Sequence, residues 1–171
     1  MTEKQFRIAL VLIGFATFIL IAFAGVKIAP VIRSKLRQDE LQTNYQKWLA
    51  LKITHYRFRL NIICLCQTSE NPVEVEVRGA QPIAAVDSFG KSVMIADNAD
   101  SALNAFVDWQ YLFTIDGVFS FATSSFADPS SSVNIEYDTK FGFPSSISVC
   151  GDPSYSDNCV YIKVNHFEVL Q

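Results

Sequence analysis

Histidine is scarce in this chain: His55 and His166 are the two among 171 residues. A base for a serine or cysteine nucleophile would have to be one of them, and no serine stands in a nucleophile-elbow pattern. Ser124-Ser125 and Ser130 to Ser132 fall where a helix end and a loop are predicted. Glycine is thin too, seven in all, and none of it forms a phosphate-cradling loop. There is no C-x-x-C of the thioredoxin type, no Asn-x-Ser/Thr glycosylation acceptor, no heptad repeat and no low-complexity tract. Positive charge is not in excess: Lys and Arg number 14 against 17 Asp and Glu, a net charge of −3. That removes the electrostatic basis for a nucleic-acid surface. Asp138, Asp152 and Asp157 read as turn formers, without the ligand spacing of a calcium loop. The expectation is a non-enzymatic protein with no catalytic residues, no cofactor and no metal.

What the chain has in quantity is apolar sequence, half of all residues. Part of it is one uncharged run from Ile8 to Val26. These about 19 positions make roughly 28 Å of helix, enough to cross a bilayer core. The run predicts a transmembrane anchor over residues 1–29, with the lipid bilayer as its partner. A cleaved signal peptide is the rival reading. Lys4 and Arg7 form a basic lead, and Ala22-Phe23-Ala24 resembles a cleavage site, but the run exceeds the roughly 7–15 residues of a signal core. Lys27, Arg33, Lys35 and Arg37 follow the run, which by charge alone favours a cytoplasmic domain.

Beyond it, about 140 residues suit one domain with one core. Pro30 opens a predicted juxtamembrane helix over residues 30–53, with Leu41, Tyr45, Trp48 and Leu49 at helical spacing. From His55 the period becomes two. Tyr56, Phe58, Leu60 and Ile62 alternate with polar residues, then Val73, Val75 and Val77 do the same, and Pro82 to Val86 makes a third strand. Thr114 can N-cap a helix whose Ile115, Val118, Phe119, Ala122 and Phe126 share one stripe. Val133 to Tyr137, Ile147 to Val149 and Val160 to Leu170 are three more strands, the last with a bulge near Asn165-His166. The predicted fold class is α+β. A single transmembrane helix precedes a compact domain over residues 54–171, built from two helix-plus-three-strand meander units forming an antiparallel sheet packed by helices.

Four cysteines allow three pairings. The polar stretch from Cys150 to Cys159 closes a short hairpin, and a disulfide there is expected. Cys64 and Cys66 point to one face of a strand, at the outer reach of a bridge, so a local pair needs a bent backbone. They form a structural disulfide, local or with the other pair, or else a strained redox pair. A metal site would need them with His55 or His166. Trp109, Tyr111, Leu112 and Phe113 form an aromatic cluster, either core or a patch for a protein partner.

Trp48, Tyr56-x-Phe58, Cys64-x-Cys66, Val75-Glu76-Val77 with Gly79, Thr114-Ile115 with Phe119, and Tyr137-Asp138-x-x-x-Gly142-x-Pro144 occur in that order. Together they resemble a family of small bacterial exported domains, many of them lipoproteins or membrane-anchored, of uncharacterised function. The resemblance spans roughly Trp48 to Leu170. Cys150, Cys159 and the longer segment from Phe89 to Phe113 depart from its pattern. It implies the bacterial cell membrane, single-pass, with the C-terminal domain outside the cytoplasm, and it implies no activity. The functional expectation is a protein-interaction or accessory subunit of a membrane or envelope complex. The alternative is a thiol-redox or metal-handling protein using Cys64 and Cys66.

Overall fold

The computed structural model describes residues 35–64, 72–93, 110–128, 131–151 and 159–171. Helix α1 covers residues 35–50. Strand β1 (His55–Ile63) follows, and its alternation has the consequence expected of period two. Tyr56, Phe58, Leu60 and Ile62 enter the core, while His55, Arg57, Arg59 and Asn61 take the opposite face. Strand β2 (Val73–Arg78) repeats the pattern with Val73, Val75 and Val77 inward. Gly79 and Ala80 then turn the chain into β3 (Gln81–Val86), both with positive φ, 58° and 65°. A two-residue hairpin loop of that kind matches the twist of its strands.

A short 3₁₀ turn (Gln110–Phe113) leads into helix α2 (Ile115–Ser125). Thr114 caps α2: its backbone is extended, and its Oγ1 accepts from the Gly117 N–H at 2.9 Å. A second free amide of that first turn, Ile115 N–H, donates to the buried Tyr56 hydroxyl at 3.1 Å. The hydroxyl therefore ties β1 to the start of α2. Burial holds the phenol in its neutral form and pushes its pKa up to about 12.

Strands β4 (Ser132–Tyr137), β5 (Pro144–Cys150) and β6 (Cys159–Val169) complete a six-stranded sheet in the order β3-β2-β1-β6-β5-β4. Every neighbouring pair is antiparallel. The two three-strand meanders meet where β1 pairs with β6, from Tyr56 opposite Val169 to Ile63 opposite Tyr161. The register shifts between Arg57 and Arg59, and His166 adopts a φ of 51° there. This bulge turns Phe167 onto the core, where its ring lies 5.5 Å from Tyr56 and 5.8 Å from Trp48.

The turn between β4 and β5 docks on α1. Asp138 Oδ1 accepts from the N–H groups of Lys140 and Phe141 at 2.9 and 2.7 Å. Lys47 Nζ donates to the Thr139 carbonyl at 2.6 Å. Gly142 lies at φ 84° with α1 so close that a Cβ would stand 3.0 Å from the Asn44 carbonyl oxygen. Tyr137-Asp138, Gly142 and Pro144 thus hold a turn against a helix.

The α+β expectation with an N-terminal membrane helix is corrected. The described chain is mostly β: a six-stranded antiparallel sheet with two helices, rather than an α+β domain behind a membrane helix. The physical reason is the long β1–β6 pairing, which merges the meanders into one sheet with one core. Among the described residues no helix is long and apolar enough to cross a membrane, so the transmembrane, single-pass assignment is without support. The run Ile8 to Val26 lies outside the described residues. The segment expected to be juxtamembrane contributes Leu41 and Trp48 to the core, and the compact unit runs from Glu40 to Gln171.

Candidate functional site

A groove lies between α1 and α2. Its walls are Leu41, Gln42 and Tyr45 of α1 with Asp116, Phe119, Ser120, Thr123 and Ser124 of α2, around about 340 Å³. Helical spacing explains the lining. Leu41 and Tyr45 are four apart, and Asp116, Ser120 and Thr123 fall on one face of α2. The rings of Tyr45 and Phe119 meet 4.8 Å apart and tilted by 54°, forming the floor. Burial first, then the charge of Asp116 and a hydrogen bond to it, raise the Tyr45 hydroxyl above the usual phenol value. The groove is therefore apolar at its base and rich in oxygen along α2. Its volume suits a small ligand or one side chain of a partner.

The face of the sheet opposite the core carries a lattice of charge. Glu76 Oε1 lies 2.8 Å from His55 Nε2, and Glu76 Oε2 lies 3.2 Å from an Arg57 nitrogen. Arg57 and Arg59 also approach Glu74, at 3.7 and 3.9 Å, and Arg78 approaches Glu76 at 3.9 Å. These are cross-strand neighbours: Arg57 pairs with Glu76 and Arg59 with Glu74. Each cation is thus engaged with carboxylates of the same sheet rather than aimed at a cavity. Partly exposed pairs of this type contribute little singly. Hydrogen bonds from His55, then Arg57, hold the Glu76 carboxyl below its ordinary value of 4.5. A depressed carboxylate stabilises the fold above its unfolded value, and that contribution is lost as pH falls through the folded value. Glu76→Gln should therefore flatten the acid limb of the melting temperature between pH 7 and pH 3, with little change at pH 7. An unaltered acid limb would assign the acid sensitivity to other carboxylates.

The residues singled out in the sequence are distributed as follows. Cys150 and Cys159 form a disulfide across the ends of β5 and β6, with Cα atoms 4.1 Å apart. Cys64, at the end of β1, is also disulfide-bonded, and Cys66 lies outside the described residues. Leu112 and Phe113 are buried at 0 and 1 % exposure and belong to the core, which corrects their reading as a partner patch. Tyr111 beside them is 48 % exposed, and Trp109 lies outside the described residues. Adjacent side chains of a 3₁₀ turn point in different directions, which sets exposed Tyr111 apart from buried Leu112 and Phe113. His55 is engaged with Glu76, and His166 sits at the β6 bulge. Among the described residues no three metal-ligating side chains come together.

The groove residues were not singled out as a set by sequence reasoning. Tyr45 and Phe119 stood out as members of separate helices. The signal that α1 and α2 would pack together was absent, because the two lie some 70 residues apart and helix periodicity is local. Comparison with curated proteins and with solved structures returns no match. Residues 40–169 match a family described as a family of unknown function (DUF6174), a span that takes in most of α1, the whole sheet, α2 and every lining residue of the groove. The chain belongs to that family.

Proposed function

We propose that this protein works outside the cytoplasm as a non-catalytic binding module, an accessory or protein-interaction unit of a bacterial envelope complex, with the helix groove as its receiving site. The observation that carries the location is the state of the cysteines. Cys150 is bonded to Cys159, Cys64 is bonded as well, and no cysteine among the described residues is free. Bonds of this kind persist in oxidising compartments and are rare in the cytosol. The apolar run from Ile8 to Val26 supports the same location as an export address, as does the resemblance to small exported domains. The binding role is supported by the groove, a concave site with few polar groups on an apolar floor.

The location is tested by thiol labelling of intact cells with a membrane-impermeant maleimide, with and without prior reduction. The expected result is a gel shift that appears only after reduction, without permeabilisation. A shift that needs permeabilisation but no reduction would put the domain in the cytoplasm with open thiols and overturn the proposal.

A further inference from the structure

We propose that the groove between α1 and α2 binds a primary alkylammonium group, its charge held by Asp116 and its stem lying on Leu41 and Phe119. This rests on the groove being the receiving site and names what it receives. Hydrogen bonds already made along α2 and the charge of Asp116 favour a cationic ligand. Thr123 Oγ1 donates to the Phe119 carbonyl and Ser124 Oγ to the Phe121 carbonyl, both at 2.9 Å. These two oxygens have no proton left to give, and they offer the groove only lone pairs. Asp116 adds a full negative charge, and among the described residues no cation is paired with it. An anion would meet repulsion there, and a neutral ligand would leave the carboxylate unbalanced.

The spacing of acceptors then narrows the cation. Asp116, Ser120 and Thr123 are successive members of one face of α2. An ammonium head has three donors that can be shared among separate oxygens. A guanidinium fork gains its advantage from both oxygens of one carboxylate, whereas the acceptors here are spread over Asp116, Ser120 and Thr123. The ring faces of Tyr45 and Phe119, at the floor, add attraction for a positive charge. A cavity of about 340 Å³ holds such a head with a short aliphatic stem. The same chemistry can come from a free alkylamine or from a lysine side chain of a partner protein.

The test is calorimetric titration of the full chain, in a nonionic detergent at low salt, with n-pentylammonium, Nα-acetyl-lysine amide, pentanol and pentanoate. Saturable binding of the two cations is expected, with Asp116→Asn weakening it at least tenfold. Ser120→Lys places an ammonium one helical turn from Asp116, so it should abolish binding while the melting temperature holds or rises. That combination would not follow from damage to the fold. Tighter binding of pentylammonium assigns the site to a free amine, and tighter binding of the lysine amide assigns it to a partner's side chain. Binding of pentanol or pentanoate at equal strength overturns the cation but keeps the groove. No saturable binding of any of the four by folded protein overturns both, and neither result bears on the location scored by thiol labelling.

Discussion

Trp48→Ala should lower the unfolding free energy by about 3–5 kcal/mol, the range for truncating a large aromatic in a core. The indole is 4 % exposed. It meets Tyr56 edge-on at 5.5 Å, Phe143 at 6.2 Å and Phe167 at 5.8 Å. Those three rings come from β1, the turn before β5, and β6. One side chain of α1 therefore fastens the helix to three separate parts of the sheet. Small domains are stable by only about 5–15 kcal/mol, so the variant would keep a modest fraction of its stability. The comparison is Leu49→Ala, on the same helix and 44 % exposed, which should shift stability by no more than about 0.5 kcal/mol. Urea titrations followed by circular dichroism give both numbers. Equal losses in the two variants would mean that α1 is held by something other than its tryptophan.

Gly117→Ala should also destabilise, by about 2–3 kcal/mol, against the ordinary preference of helices for alanine. In a typical helix this exchange gains up to about 1 kcal/mol. Here a methyl at position 117 would overlap the backbone carbonyl of Tyr111. That carbonyl cannot swing away as a side chain would. It belongs to the 3₁₀ turn whose Leu112 and Phe113 are fixed in the core, and α2 is fixed by Ile115, Val118 and Ala122. Relief requires moving one buried element against the other. A melting temperature unchanged or raised in Gly117→Ala would show that the turn yields easily and that propensity wins.

The parts of this fold legible in the sequence are those set by neighbours along the chain. The alternation of Tyr56, Phe58, Leu60 and Ile62 placed β1, and the change of inward set after Val164 placed the bulge at His166. Thr114 announced the start of α2 because capping is a matter of three residues. What stayed hidden depends on distant pairing. No local pattern says that β1 will lie beside β6, so the sequence suggested a sheet without its strand order. Leu112 and Phe113 could be read as core or as a patch because the turn carrying them has no readable period. The groove needed two helices to meet, which neither stripe specifies. Only the short range of the apolar and capping signals was available, and the site is made at long range.

The pairing of β1 with β6 has a further consequence for how the molecule is made. The partners at the centre of the sheet are separated by roughly 100 residues, so their contact carries the full entropic cost of a long loop. At about 5–20 residues per second of synthesis, β1 waits on the order of 5–20 s for its second neighbour. Until then one edge of the first meander is bare and its valine face is half covered. A nascent chain in that condition cannot lock its central strand pair prematurely. It also makes the same interval the time when a holdase chaperone would have most to cover.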